Sequence, residues 1–199
     1  MRKILNLFFL FFLAANCYSQ VEYKIDPSSV MTITGTSTIH DWTSKAKSIN
    51  GKILLNKSVK DKNLPQKGII VEILRLIIPV KNIESPHGVV MDDKTYEALK
   101  SDQYPIITFT LTDNKITQIV NKTAGKFKLA VSGDLTIAGF TKSITLIIDG
   151  ERMNTTSLRF VGSFPLKMTE YYVTPPTAMF GQIVTGDQVT IDFNILLKL

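Results

Sequence analysis

The chain is almost bare of the residues that build covalent or metal-held sites. Its 199 residues include one cysteine, Cys17, and two histidines, His40 and His87. A single cysteine excludes a disulfide within the chain. Neither histidine stands in an HxH or HExxH spacing, and no thiolate is at hand to complete a set, so the usual zinc patterns are excluded. GxGxxG, GxxxxGKS/T and GxSxG are all absent. The positive signals for a nucleotide-phosphate loop and for a hydrolase elbow are therefore missing. No run of five or more like charges occurs although the net charge is +6. The lysines are scattered, which describes a solvated surface and excludes a nucleic-acid stripe. Beyond the N-terminus, no apolar stretch approaches the roughly 20 residues of a membrane-spanning helix without a charge or a turn residue.

What the chain does have is alternation. In Phe127 to Ile148, FKLAVSGDLTIAGFTKSITLII, the residues Phe127, Leu129, Val131, Leu135 and Ile137 share one face with Gly133. Lys128, Ser132, Asp134 and Thr136 take the other. After Ala138-Gly139-Phe140-Thr141, the residues Ile144, Leu146 and Ile148 recur at every second position. This is the pattern of two antiparallel strands with one oily and one wet face. Leu158, Phe160, Gly162, Phe164, Leu166 and Met168 repeat it at even positions, and Val189, Ile191, Phe193, Ile195, Leu197 and Leu199 at odd ones.

The N-terminal stretch MRKILNLFFLFFLAANCYSQ reads as a secretory signal peptide over 1–19. Arg2 and Lys3 form its basic region, Ile4 to Ala15 its apolar core, and Cys17 and Ser19 the small residues before a cut at Gln20. The mature domain, 20–199, then carries no cysteine and a net charge of +4, from 21 basic against 17 acidic residues. An exported chain without disulfides is held by its hydrophobic core, and about 180 residues are enough to build one. Lipid anchoring through Cys17 is the alternative.

In order, strands are expected at Val21–Ile25, at Val30–Thr38 and through Ile49, Gly51, Ile53 and Leu55. Asp26-Pro27-Ser28-Ser29 forms a turn. Residues Asn56 to Gly68 are read as an exposed connection, and Ile69–Val80 as one long strand covered in part on both faces. Met91–Ser101 is the one convincing helix, with Asp92 as its N-cap and Met91, Tyr96 and Leu99 as its buried side. Ile107, Phe109 and Leu111 form a strand, followed by a turn at Asp113-Asn114 and a loop or hairpin over Ile116–Gly125. Thr169–Thr185, with Pro175-Pro176, is irregular. About eight long, one-sided strands and one short helix fit an all-β, single-domain, antiparallel up-and-down barrel better than a sandwich.

The side chains with chemistry give little purchase. His40 and Asp41 are neighbours on an extended segment, so they point to opposite faces and do not share a site. His87 beside Gly88 reads as a turn residue. Asp92 and Asp93 open a helix, where acids suit the dipole. The oily positions carry the information. Phe109, Phe127, Leu129, Val131, Leu135, Leu146, Phe160, Phe164, Ile191 and Phe193 are the candidate lining of a lumen, with Leu158 and Ile195 in the same series. Alternation alone does not tell an open lumen from a filled one. Thr169–Thr185 and Ser85–Ser101 are candidates for its mouth.

Two segments carry a resemblance: Tyr104-Pro105-Ile106-Ile107-Thr108-Phe109, and the hairpin Val131-Ser132-Gly133-Asp134-Leu135-Thr136-Ile137-Ala138-Gly139-Phe140-Thr141-Lys142. Thr38–Trp42 and Met91–Lys100 add weaker support. The chain resembles, from about Tyr23 to Leu197, the YceI-like family of bacterial periplasmic proteins, also called polyisoprenoid-binding proteins. Two places differ. Asp26-Pro27-Ser28-Ser29 stands where many relatives carry His-Ser, and Met168-Thr169-Glu170-Tyr171-Tyr172 where many carry Arg-x-Asp-Phe-Gly. The resemblance implies a lipocalin-like barrel in the periplasm, with no cofactor, that binds a polyprenyl, quinone-type or other long apolar lipid without catalysis. It leaves open the ligand's identity, its head-group contacts, a passing contact with a membrane surface, and the oligomeric state, a homodimer included. Two other readings stand beside it. An enzyme acting on an apolar substrate in the barrel requires ionisable groups converging in the lumen. A stress- or secretion-associated interaction module requires a filled lumen and an exposed apolar patch.

Overall fold

The computed structural model describes residues 20–56 and 70–199. The signal-peptide stretch, Cys17 and most of the Asn56–Gly68 connection lie outside the described residues. The described residues form twelve strands: β1 (Gln20–Ile25), β2 (Val30–Ser37), β3 (Trp42–Ala46), β4 (Asn50–Asn56), β5 (Val71–Pro79), β6 (Ile83–Glu84), β7 (Ile106–Asn121), β8 (Lys126–Ile137), β9 (Phe140–Arg152), β10 (Ser157–Lys167), β11 (Thr177–Ala178) and β12 (Ile183–Lys198). A single α-helix among the described residues, α1 (Val89–Ala98), crosses one end. It is far too short to cross a membrane, and no other described helix does so.

Eight strands close into an antiparallel barrel in the order β1-β4-β5-β7-β8-β9-β10-β12. The seam is β1 on β12, with Lys24 opposite Lys198 and Ile25 opposite Leu197. From β4 onward the barrel is a meander of sequence neighbours, interrupted by short excursions. The break at Asp26-Pro27-Ser28-Ser29 explains the departure from a plain meander. Asp26 caps the turn by accepting from the Ser28 backbone N–H at 2.9 Å and the Ser28 hydroxyl at 2.5 Å. Before this kink the chain pairs with β12 and β4. After it, β2 lies further along the same edge of β12 and passes on to β3 and β6. Residues 39–43, which lie outside every expected strand, thus lead into a strand, β3, at Trp42.

The strands are long. β7 and β12 each have 16 residues, well beyond the usual strand of about 5–6. At about 3.3 Å per residue such a strand spans roughly 50 Å, enough for a deep tube. The β8–β9 hairpin is tight because Ala138 and Gly139 both adopt positive φ, 47° and 80°, the handedness that matches strand twist in a two-residue turn. A side chain at Gly139 would also strike the Tyr104 ring, 2.4 Å from an added Cβ. The two segments that carry the resemblance therefore pack on each other. Gly133 similarly leaves room for the Phe109 ring.

The expected turn at Asp113-Asn114 and the loop after it do not form. β7 runs unbroken through them with three register shifts. The first two shifts each move the inward positions by one: Ile107, Phe109 and Leu111 first, then Asn114 and Ile116, then Ile119. The first shift turns the Asn114 amide inward, where it is 3% exposed. Its oxygen accepts from Ile70 N–H and Val71 N–H, both at 3.1 Å, and its nitrogen donates to the Val71 carbonyl at 2.7 Å. The residue read as a turn former is a substitute ladder partner for the start of β5. β5 itself has a wet outer side, with Glu72 and Arg75 exposed and Leu74, Leu76 and Ile78 inward.

Helix α1 also departs from expectation at both ends of its reading. Its N-cap is Gly88, at φ 84°, with no side-chain cap. Asp92 sits in the first turn and accepts from Ser85 N–H at 2.6 Å, which ties the preceding turn to the helix. Met91 and Leu99 face the barrel end, whereas Tyr96 turns away and donates its hydroxyl to the Lys81 carbonyl at 3.0 Å.

Candidate functional site

The inward residues of the barrel strands do not fill its middle. Below, the core is dense: Tyr23, Ile53, Leu55, Ile70, Phe127, Leu129 and Leu158 are each at most 2% exposed. Phe127 meets Phe160 edge to face at 6.2 Å, an arrangement aromatic rings favour. Above this floor lies a cavity of about 180 Å³, lined only by Met, Ile, Leu, Val, Ala and Phe. Such a lining offers a water molecule no polar partner; an enclosed engineered apolar cavity of about 150 Å³ stays dry and accepts benzene.

Of the sequence-derived lining residues, Phe109, Leu129, Val131, Leu135, Leu146, Phe160, Phe164, Ile191 and Phe193 all face this cavity. Phe127 does not. It is 1% exposed, at the start of β8, and forms part of the floor. The reason is length: β8 runs past the cavity at its lower end, so one residue of a correctly read face lies beneath the space. Alternation left out other lining residues. Met31 and Ile33 on β2, Ala46 on β3 and Ile83 on β6 belong to the excursion that the meander pattern did not anticipate.

A second cavity, of about 140 Å³, adjoins the first and shares Ile33, Ile83, Ile107, Ile137 and Ile191 with it. Its roof is α1 with the segment from Met168 to Pro176, as the reading of the mouth anticipated. It differs chemically. Ser44, Ser85, Lys94, Thr95 and Thr185 are among its lining residues, with no carboxylate. Lys94 reaches from the helix to donate to the Thr177 carbonyl at 3.0 Å, a clasp across the mouth. Tyr171, 1% exposed, lines this space as well. Burial, and then the neighbouring Glu170, push its phenol above the ordinary tyrosine value, so it stays protonated.

The two histidines lie outside both cavities. Their rings approach within 5.9 Å of each other, and His40 Nδ1 contacts the carbonyl of Asp41 at 2.8 Å rather than its carboxylate. Among the described residues there is no group of three or more His, Cys, Asp or Glu able to hold a metal ion. The site is an apolar compartment beside a smaller one with some polar lining.

Solved structures with the same architecture include Burkholderia cenocepacia BcnA, at 18% identity, covering 86% of this chain and 98% of that one, with a TM-score of 0.63. A polyisoprenoid-binding domain from Saccharophagus degradans, implicated in plant cell wall breakdown, matches at 15% identity over 88% and 97%, with a TM-score of 0.64. The Campylobacter jejuni YceI protein matches at 16% identity over 78% and 84%, with a TM-score of 0.55. At these identities the likeness is one of fold. No curated protein matches the chain significantly. The YceI-like domain matches residues 18–197, nearly the whole chain, and the chain belongs to the YceI-like family.

Proposed function

We propose that this protein is a binding or carrier protein that holds an isoprenoid or another long apolar lipid inside its barrel and leaves it chemically unchanged. The observation that carries this reading is the lower cavity: a closed barrel whose interior space is lined without a single polar side chain. A hydrocarbon tail asks for nothing else. Each CH₂ taken from water stabilises the complex by about 0.8 kcal/mol before ordering costs, so several isoprene units suffice without a polar anchor. The polyisoprenoid-binding domain of Saccharophagus degradans, which shares the fold, supports the same ligand class.

Catalysis finds no support in the lining. Lys94 is the sole ionisable group around the upper cavity apart from Tyr171, and the lower cavity has none. A general acid and base within reach of each other are the minimum for most reactions on such substrates. The N-terminal stretch 1–19 supports export to the periplasm as a signal peptide, consistent with a cysteine-free mature chain.

The test is recovery of the ligand. The mature protein is purified from its native host, extracted with organic solvent, and the extract analysed by mass spectrometry. A stoichiometric apolar lipid is the expected result. An empty extract, with no uptake of added lipid by the purified protein, would overturn the reading.

A further inference from the structure

Resting on the apolar-lipid reading, we infer that the outer rim beside the upper cavity is a bilayer-docking surface. The tip of the β11–β12 hairpin, the β2–β3 turn and the start of α1 insert together into the apolar layer of a lipid bilayer, so that ligand passes between membrane and barrel without crossing water. The hairpin carries the strongest observation. Thr177 pairs with Val184 and Ala178 with Ile183, which leaves Met179-Phe180-Gly181-Gln182 as its tip. Met179 and Phe180 have φ of 50° and 53°, in the left-handed region that side chains rarely adopt, and Gly181 follows at 87°. The Phe180 ring is fully exposed and Met179 largely so. Packing within the barrel does not account for this tip. A strained backbone holds two large apolar side chains out in solvent, and strain of this kind collects at segments that engage a ligand or partner.

The tip has neighbours of the same character. Thr38, in the β2–β3 turn, donates its N–H to the Val184 carbonyl at 3.0 Å and its hydroxyl to the Gln182 carbonyl at 3.4 Å, which sets the exposed Ile39 beside the hairpin. The His40 and His87 rings, 5.9 Å apart, bring that turn to the start of α1, where Val89 and Val90 are exposed. Lys94 closes the circuit from α1 back to the hairpin through the Thr177 carbonyl. Ile39, Val89, Val90, Met179, Phe180 and Val184 thus share one end of the barrel. Single exposed apolar residues are ordinary, but a group of them around one opening marks an interaction site. Two observations select a bilayer. First, the rim is continuous with the cavity: Met91 and Lys94 of α1, with Pro176 and Thr185 flanking the hairpin, line the upper space. A long hydrocarbon pays for every CH₂ that crosses water, so its source must meet the mouth directly. Second, the rim is not basic. The charged side chains of residues 37–41, 87–94 and 177–184 are Asp41, Asp92, Asp93 and Lys94, with the imidazoles of His40 and His87 beside them. Three acids against one lysine do not attract anionic head groups, although the mature chain carries +4. The contact is therefore apolar insertion, for which a zwitterionic surface suffices.

Vesicle flotation tests this, with the mature protein and vesicles of phosphatidylcholine alone or mixed with phosphatidylglycerol. Binding to the two should agree within about three-fold and survive raised salt. The double variant Met179→Ser, Phe180→Ser should bind vesicles about ten-fold or more weakly. Its uptake of a fluorescent fatty-acid analogue from solution should be unchanged, since neither residue lines a cavity. Insertion is read at single sites. The mature chain has no cysteine, so Phe180→Cys and Thr123→Cys each give one attachment point for an environment-sensitive fluorophore. Thr123 lies between β7 and β8, at the floor end of the barrel. The label at 180 should shift to the blue on vesicles and the label at 123 should not. No flotation, binding only to the anionic vesicles, loss of binding in salt, or equal responses from the two labels would overturn the docking surface. A dimer in sedimentation that disappears in the double variant would overturn it too, by placing a second copy of this chain on the rim. Uptake from solution judges the lipid reading separately. Uptake without flotation rejects the rim alone, whereas flotation without uptake rejects the lipid reading and, with it, transfer through the rim.

Discussion

At the scale of single residues, facing decides consequence. Val131 and Lys128 lie three apart on β8 and on opposite faces. Val131 is 5% exposed and lines the lower cavity, whereas Lys128 lies outside, 2.7 Å from Asp149. Val131→Asp places a carboxylate among apolar side chains, so urea unfolding should show a loss above about 3 kcal/mol and bound lipid should be absent. Lys128→Ala removes one half-exposed ion pair and should change stability by no more than about 0.5 kcal/mol. Equal effects from the two would refute the facing assignment. Acid sensitivity is also local. The Asp26 carboxyl is held down to about 2 from its ordinary 3.8, first by the hydrogen bond from Lys198, then by the Ser28 hydroxyl and N–H. Its folded value lies below its unfolded one. The stabilisation is therefore complete above about pH 4 and disappears as pH falls through about 2. Because Asp26 joins β1 to β12 at the barrel seam, Asp26→Asn should flatten the fall in the urea midpoint between those two pH values. An unchanged acid slope in the variant would show that this carboxylate does not set it.

At the scale of elements, the fold was legible wherever a strand kept one register from end to end. β8, β10 and most of β12 did so, and their inward faces follow from period two alone. β7 did not, because a register shift exchanges the two faces and mimics a turn in the sequence. Asp113-Asn114 has turn composition, yet its chemistry is used sideways: the Asn114 amide bonds to the backbone of Ile70 and Val71, residues distant in sequence. Nothing local in the chain reports such a partner. The same holds for β3 and β6, five and two residues long, which exist because β2 presents an edge to them. If the bulge in β7 is held by that amide, Asn114→Leu should cost about 2–5 kcal/mol by urea unfolding, since two buried N–H groups and a carbonyl lose their partner. Backbone amide exchange should quicken at Ile70 and Val71 before it does in β8. A cost below about 1 kcal/mol would mean that the shift is set by the strands themselves.

At the scale of the whole molecule, the site was legible as a face but not as a space. Alternation identified residues that point inward, and nine of them do meet around one cavity. Whether inward side chains touch across the barrel depends on strand number, tilt and the excursion through β2, β3 and β6, none of which is a property of any one strand. The polar lining residues of the upper cavity were missed for a related reason. Ser44 and Lys94 lie on a short strand and a weakly patterned helix, and only closure of the barrel end brings them to one space. An open middle has a thermodynamic signature that a filled one lacks. Ligand that binds only the folded state raises stability by RT ln(1 + [L]/Kd), about 2.7 kcal/mol at a hundred-fold excess over Kd. Stripping the lipid should therefore lower the melting temperature, and adding it back should restore it. Ala46, 7% exposed on β3, borders the lower cavity, and a phenyl ring placed there would take up space that a tail needs. Ala46→Phe should stay folded, because the added ring enters existing volume and its strain is offset by new contacts, leaving stability within about 2 kcal/mol of the stripped wild type. It should also purify without lipid and show no thermal response when lipid is added. Lipid recovered from Ala46→Phe at wild-type stoichiometry would place the ligand outside the lower cavity, on a surface that the barrel merely supports.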